Sequence, residues 1–236
     1  MHPERIIIEP RATLPSAAAV WIADAIAAAV AQRGTCAIAL SGGSTPRAVY
    51  EQLARDELSV PWEHLEVFFG DERCVPPDDP ASNYHMAFDA LLRHVPIPRA
   101  RVHRMPADSA DLDAAARAYD ALLPERFDVL LLGLGADGHT ASLFPGAPTL
   151  DERERRVVPA EGPTAPRRRL TITPPVIAAA RRTAMIVAGA EKAEIVERVL
   201  QGPFDPHALP AQLALGADWF LDRDAAARLP QRGGRA

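Results

Sequence analysis

Cysteine, lysine and long apolar runs are all scarce in this chain of 236 residues. Its two cysteines, Cys36 and Cys74, lie far apart, and no cysteines and histidines have the spacing of a zinc site. Two such thiols fit a reducing compartment better than a disulfide scaffold, so we expect a cytoplasmic protein. No apolar segment of the kind a signal peptide requires follows the basic residues near the N-terminus. The Ala-rich stretch 17–31 is too short and too polar for a good membrane span, so we expect no membrane partner.

Positive charge is outnumbered by negative charge. The chain has 26 basic and 31 acidic residues, a net charge of −5 with neutral histidine. This balance argues against a nucleic-acid partner, although a few local cations can still form a pocket for a small anion. Lys192 is the one lysine among the 26 basic residues. Because alanine is also very common, the arginine excess is typical of compositional bias, and the remaining lysine points weakly to a specific role.

The chain has enough apolar residues for a sizeable core, at 48% hydrophobic and 24% charged. Short apolar runs predict strands at 5–8, 36–40, 65–69, 128–132, 170–173 and 184–188. Patterns of helical period between them predict helices at 16–32, 46–55, 83–92, 112–123 and 191–200. Because the apolar runs are continuous rather than alternating, both faces of the sheet are expected to be covered. The predicted fold class is α/β, a doubly wound and mostly parallel sheet flanked by helices.

We expect a single domain over 1–236. The Pro- and Arg-rich stretch 152–169 is the best boundary candidate, but an excursion within the domain explains it better. The segment 225–236 is expected to be a frayed tail. Two side chains are predicted to cap helices, Thr45 before Pro46 and Ser82 before Asn83.

Ligands of open α/β sheets bind at the carboxyl ends of the strands, so three loops that follow predicted strands are candidates. The first is Ser41-Gly42-Gly43-Ser44-Thr45 before Pro46. Its glycines allow close approach, its hydroxyls can donate, and the free N–H groups of a helix start attract anions. It lacks the Gly-Lys-Ser/Thr ending of a nucleotide-binding loop. A phosphate cradle and a plain tight turn with an N-cap are equally good interpretations.

The second loop runs over 69–77 and contains Asp71, Glu72 and Arg73 directly after an apolar strand. An arginine there can bind phosphate in bidentate fashion, with an adjacent acid to position it. An ion pair within a capped turn is the more ordinary interpretation of this segment taken alone.

The third loop, 132–146, contains a literal G-x-G-x-x-G. No clear helix follows its third glycine, and no strand ending in an acidic residue follows about 20 positions later, so dinucleotide binding is disfavoured. What remains is Asp137 and His139 at a strand end. A neutral imidazole is a natural general base, and a nearby carboxylate can orient it. Lys192 follows another predicted strand at a helix start, where a cation is unfavourable unless an anion docks beside it.

Together these segments resemble the 6-phosphogluconolactonase family, in the wider group of glucosamine-6-phosphate deaminases and ribose-5-phosphate isomerases. The segments that carry the resemblance are 41–46, 70–73, 82–84, 135–146 and Gly189-x-x-Lys192. The deaminases share the Asp-Gly-His core but usually continue with Ile-Ala-Phe-Asn-Glu-Pro, whose Glu serves ring opening. Here Thr-Ala-Ser-Leu-Phe-Pro follows His139, so the acidic residue is missing.

The resemblance implies hydrolysis of 6-phospho-D-glucono-1,5-lactone to 6-phospho-D-gluconate in the oxidative pentose phosphate pathway. His139 would activate the water and Asp137 would support it. A lactone is already a reactive ester, so no metal, cofactor or covalent nucleophile is expected. Backbone N–H groups of 133–138 are plausible donors to the oxyanion. The expected partner is this small phosphorylated lactone, and the chain is expected to be a monomer or a small homo-oligomer.

The resemblance also implies a phosphate site made by Arg73, Lys192 and the first loop, that is by Ser41, Gly42, Gly43, Ser44 and Thr45. Arg169 matches an arginine common in the family and would line the pocket. The chain departs from the family pattern at Cys74, where an aromatic residue is frequent, and at His85, where arginine is frequent. Two alternatives stay open: a deaminase or other sugar-phosphate isomerase on the same fold, and a non-catalytic sugar-phosphate sensor.

Overall fold

Six short apolar strands form one parallel sheet in the computed structural model, which describes residues 5–55 and 57–230. Numbered along the chain, they are β1 (Arg5–Glu9), β2 (Cys36–Leu40), β3 (Leu65–Phe69), β5 (Val129–Leu132), β8 (Arg182–Val187) and β9 (Asp218–Asp222). Their order across the sheet is β1-β9-β8-β5-β2-β3, and every neighbouring pair is parallel. All residues of β2 and β5 are buried, as expected for a sheet covered on both faces. The predicted fold class is confirmed.

Helices and 3-10 turns connect these strands. The helices are α1 (Leu14–Arg33), α2 (Ser44–Leu53), α3 (Asn83–Ala87), α4 (Leu112–Asp120), α5 (Pro174–Ala179) and α6 (Ala193–Gln201). Helix α3 continues as a π-helical turn over Phe88–Leu92, so the predicted helix 83–92 has two kinds of winding. A 3-10 turn over Ala190–Lys192 leads into α6. The short helix α5 was not predicted, because six residues with two prolines at the start carry little helical periodicity.

A second, antiparallel sheet of three strands was also not predicted. It has the order β4-β7-β6, formed by β4 (Asp71–Arg73), β7 (Arg168–Ile172) and β6 (Val157–Glu161). Strand β6 contains Pro159, which a sheet tolerates at its edge, and its composition carries no strand pattern. The segment 152–169 therefore includes an edge strand and the connection from it to β7.

Helix α1 is long and apolar enough to cross a membrane by length and composition, contrary to the expectation from its sequence. Half of its apolar stretch is buried, and the helix packs on α2, β2 and β9. Its buried side chains include Trp21, Ile22 and Ile26. In this structure α1 is a core helix.

The two predicted helix caps have different outcomes. Ser82 Oγ accepts a hydrogen bond from the N–H of His85 at 3.1 Å, which confirms the cap of α3. The prediction for Thr45 was wrong, because α2 begins at Ser44 and its N-cap is Gly43. Gly43 has φ +108°, a conformation that glycine adopts far more readily than threonine. A glycine cap offers no side chain to the first helical N–H groups, which remain available to a ligand.

The first residues of the predicted tail are packed against the fold rather than frayed. Ala225 and Ala226 are buried, and the N–H of Ala225 donates to Asp222 at 2.7 Å. The buried Asp222 carboxylate also accepts the N–H of Gly189. The predicted tail 225–236 thus begins too early, and its last part, 231–236, lies outside the described residues.

Candidate active site

The order of the strands reverses beside β2. Strand β3 follows on one side of β2, whereas β5, β8 and β9 lie on the other side. Loops that leave neighbouring strands in opposite directions open a crevice between them, where ligands of open α/β sheets bind. A cavity of about 380 Å³ lies between the loops that follow β2 and β5.

This cavity brings together residues from widely separated parts of the sequence. The predicted site residues that line it are Ser41, Gly42, Gly43, Ser44, Thr45, Arg73, His139, Arg169 and Lys192. Asp137 does not line the cavity but contacts His139 from behind. All the residues predicted for one site therefore lie at one place in the fold.

His139 is held by a carboxylate on its own loop. Its Nδ1 lies 2.5 Å from Asp137 Oδ1, which also accepts the His139 backbone N–H at 3.1 Å. The acceptor places the proton of a neutral imidazole on Nδ1 and leaves Nε2 as the basic nitrogen. Desolvation raises the pKa of Asp137, but the hydrogen bonds and charge of His139 outweigh it and hold that pKa below its ordinary value. Asp137 is thus an ionised orienting group beside a potential base.

Gly135 makes room for this pair. A Cβ at Gly135 would lie 2.0 Å from His139 Nδ1 and 2.7 Å from Asp137 Oδ1. The Gly135 N–H donates to the His139 carbonyl at 2.9 Å, and the Gly138 N–H donates to the Gly135 carbonyl at 3.1 Å. Within the predicted range 133–138, these two N–H groups therefore serve the loop itself and are not free for an oxyanion.

The loop after β2 presents a helix N-terminus to the cavity. Tyr50 holds Ser41, since its hydroxyl accepts the Ser41 N–H and donates to the Ser41 carbonyl, both at 2.9 Å. Ser44 and Thr45 then form the first turn of α2, a helix of ten residues whose positive end faces the cavity. The cradle predicted from the sequence has the geometry of an anion site.

Three cations surround the same cavity. A backbone carbonyl holds each of them: Arg73 Nη1 donates to Ala81 at 2.6 Å, Arg169 Nε to Pro166 at 2.7 Å and Lys192 Nζ to Leu134 at 2.8 Å. Burial lowers the pKa of Arg169, and the charge of Arg73 lowers it further. Among the residues that the structure describes, none of the three pairs with a carboxylate within 4 Å. Such a concentration of unpaired positive charge is suited to a ligand with a strong negative charge.

The cavity also contains residues that sequence reasoning did not assign to the site. Asp71 and Asn83 line it, and they belong to the segments 70–73 and 82–84 that carry the family resemblance. Pro163 and Thr164 form part of its wall and come from the connection between β6 and β7. The position of that connection depends on the small sheet, which leaves no periodic signal in the sequence.

The two departures from the family pattern lie outside the cavity wall. Cys74 is half-buried, and its N–H donates to the carbonyl of Arg168. His85 lies in α3 with its Nε2 3.5 Å from Asp89. In the described part of the chain, no three histidine, cysteine, aspartate or glutamate side chains converge as a metal site would require.

This chain is similar to known proteins over most of its length. A family model described as glucosamine-6-phosphate isomerases/6-phosphogluconolactonase matches residues 9–220. A 6-phosphogluconolactonase of Mycobacterium tuberculosis is 42% identical over 92% of this chain and 94% of its own length. One of Synechocystis is 40% identical over 97% and 99%. The structure of 6-phosphogluconolactonase from Trypanosoma brucei superposes with a TM-score of 0.87, at 32% identity, over 97% of this chain and all of the other.

Proposed function

This chain belongs to the glucosamine-6-phosphate isomerase/6-phosphogluconolactonase family, as its motifs predicted, and we infer that it is a lactonase. It is an enzyme that hydrolyses 6-phospho-D-glucono-1,5-lactone to 6-phospho-D-gluconate, a reaction of the oxidative pentose phosphate pathway. The relatives that are similar over nearly their whole length carry this activity in their names.

One observation carries the proposal for the site. In the part of the chain that the structure describes, three cations with no carboxylate within 4 Å and the N-terminus of α2 converge on the cavity that also contains His139. The 6-phosphate would lie among Arg73, Arg169, Lys192 and the first loop. The lactone ring would then reach toward His139, which provides a base at the other end of the same ligand.

In the proposed reaction, Nε2 of His139 takes a proton from water as the water oxygen bonds to the lactone carbonyl carbon. Asp137 accepts a hydrogen bond from Nδ1–H throughout, stays ionised, and stabilises the imidazolium that forms at His139. The tetrahedral intermediate then collapses, the bond to the ring oxygen breaks, and the imidazolium returns its proton to that oxygen. Binding through the phosphate contributes orientation, because it turns the attack into a step within one complex.

The deaminase alternative is less well supported by the residues after His139. Thr140 Oγ1 donates to the Gly133 carbonyl, and Ala141 and Phe144 present apolar side chains to the cavity. None of these can serve as the acid that ring opening requires. A silent sensor would need the phosphate site but would not need an oriented histidine–carboxylate pair.

The test of the function is the opening of freshly generated 6-phosphogluconolactone, measured against its spontaneous rate. We expect clear acceleration by the wild-type chain and no release of ammonia from glucosamine 6-phosphate. Tight binding of 6-phosphogluconate without acceleration would instead establish the sensor. Ammonia release would establish the deaminase.

Replacing Lys192 with alanine should raise KM for the phosphorylated lactone by about 10- to 100-fold, since a charge-assisted hydrogen bond is lost. Opening of unphosphorylated gluconolactone should change little, because it makes no use of the phosphate site. Steady-state kinetics on both substrates measure the difference. Arg198→Ala is the matched control, since Arg198 is an exposed cation of α6. An unchanged KM in Lys192→Ala would remove Lys192 from the phosphate site.

We also propose that the enzyme acts in the cytoplasm as a monomer or a small homo-oligomer, with the phosphorylated lactone as its partner. The free thiols of Cys36 and Cys74 and the packing of α1 in the core support this setting.

A further inference from the structure

Unpartnered polar atoms gather at one side of the cavity. In the described part of the chain, five buried side-chain nitrogen or oxygen atoms have no hydrogen-bond partner. Three of them, Ser41 Oγ, Arg73 Nε and Asn83 Oδ1, belong to residues that line the cavity. Buried polar atoms are nearly always paired, so this cluster marks a place where side-chain placement serves something other than stability.

A short hydrogen-bond network runs through the same place. Asp71 accepts the hydroxyl of Ser142 at 2.6 Å on one carboxylate oxygen and the amide of Asn83 at 3.1 Å on the other. The Asn83 amide also donates to the Asp71 carbonyl at 2.8 Å. Asp71, Asn83 and Ser142 are all buried. Ser142 lies three residues after His139, so Asp71 connects the loop of the base to α3.

At the other end of this network, the Asn83 side chain packs against the phosphate loop, residues 41–45, at Gly42. A Cβ at Gly42 would lie 1.9 Å from Asn83 Oδ1 and 2.4 Å from its Cγ. The amide oxygen therefore packs directly against the backbone of Gly42 and takes no conventional donor there. Because residue 42 has no side chain, the loop after β2 can approach the first residue of α3 this closely.

The backbone of α3 does not depend on these side-chain contacts. Glu72 accepts the N–H groups of Asn83 and Tyr84 and the hydroxyl of Ser82, at 2.7 to 2.9 Å. Burial raises the pKa of Glu72, and these hydrogen bonds oppose the increase. Ser142 has a second contact beside Asp71, since its N–H donates to Thr171 Oγ1. The helix backbone therefore does not require the side-chain contacts of Asn83 and Asp71, and these contacts can be assigned to the site.

We propose that Asn83 and Asp71 are positioning residues that set the distance between the phosphate loop and His139. Asp71 holds the loop of His139 through its hydrogen bond with Ser142 and also accepts the amide of Asn83. Asn83 in turn packs on Gly42 and so sets where the phosphate loop lies. The inference rests on the proposed function, in which a ligand held at its phosphate must reach the base at its other end. A misplacement of about 1 Å in such a pair costs about 100-fold in rate.

The test is Asn83→Ala in the full chain, with kinetics on 6-phosphogluconolactone and calorimetric binding of 6-phosphogluconate. We expect kcat to fall about 10- to 100-fold, with affinity for 6-phosphogluconate within about threefold, because the cations and the α2 terminus remain. The pH profile of kcat should keep its shape, since the His139–Asp137 pair is untouched. A purely structural role would instead lower the melting temperature and leave kcat of the folded fraction unchanged, which would overturn the proposal.

A second variant addresses the contact itself. Gly42→Ala should push the Asn83 amide away and lower kcat to a similar degree. The double variant should be no worse than either single one, because removing the amide also removes the clash. Gly70→Ala is the matched control, since its Cβ would meet Leu40 and Ile172 only at 3.7 and 3.8 Å. Additive losses would contradict the coupling. An inactive wild-type chain would overturn the proposed function first, and full activity of Asn83→Ala would overturn this inference alone.

Discussion

Replacing His139 with alanine is expected to lower kcat for lactone opening by about 10²–10⁴-fold, the usual contribution of a positioned base. KM should change little, because the phosphate site of Arg73 and Lys192 is intact. The half-buried imidazole contacts Asp137 and the ring of Phe144, both close to it in the chain, so the variant should lose little in melting temperature. Stopped-flow or proton-release kinetics on freshly made lactone measure the effect.

His64→Ala is the matched control, because His64 lies on a surface turn at 46% side-chain exposure, away from the cavity. It should retain wild-type kcat. Unchanged turnover in His139→Ala would assign the base to another group.

Asp137→Asn should lower kcat by less than His139→Ala, since the imidazole stays but loses the carboxylate that orients it.

Gly135→Ala is expected to lower kcat by about 100-fold or more, although it changes no group that takes part in the chemistry. The added methyl group would occupy the space of the His139 ring, 2.0 Å from Nδ1 and 2.1 Å from Cε1. The ring must then leave Asp137 and lose its alignment toward the cavity. Kinetics and a crystal structure of the variant would measure both consequences.

Gly216→Ala provides a control outside the cavity. A Cβ at Gly216 meets no atom within 4 Å, and Gly216 is exposed and does not line the cavity, so this variant should retain wild-type activity. Equal losses in Gly216→Ala and Gly135→Ala would mean that an added methyl group acts through general destabilisation rather than at His139. Equal activity in both would mean that the imidazole can move without penalty.

The sequence predicts those parts of this molecule that depend on local pattern. Buried parallel strands are continuous apolar runs, and β2 and β3 have the predicted boundaries. His139 and Lys192 lie in the segments that follow such runs, so their placement at the carboxyl end of the sheet follows from the strand predictions. Arg169 could be expected only from the resemblance, since it lies within a strand of the small sheet.

What the sequence does not predict depends on contacts between distant segments. The pairing of β4 with β7 joins Asp71 to Thr171, and the wall formed by 163–164 follows from that pairing. Gly43 rather than Thr45 caps α2 because the loop adopts a positive φ, which a composition of small polar residues does not specify. The packing of Asn83 on Gly42 likewise brings together segments 41 residues apart in sequence.

The position of β9 has a consequence for how the chain folds during synthesis. Strand β1 lies at the edge of the large sheet, and its one neighbour there is β9, which pairs Arg5 with Asp218. Arg5 and Asp218 are 213 residues apart, so β1 leaves the ribosome long before its partner β9, and the closure of so long a loop is slow. Asp222, at the end of β9, holds the N–H of Gly189 three residues before Lys192. A nascent chain that stops short of β9 lacks the hydrogen bond from Gly189 to Asp222. The phosphate site around Lys192 is therefore complete only when β9 has joined the sheet.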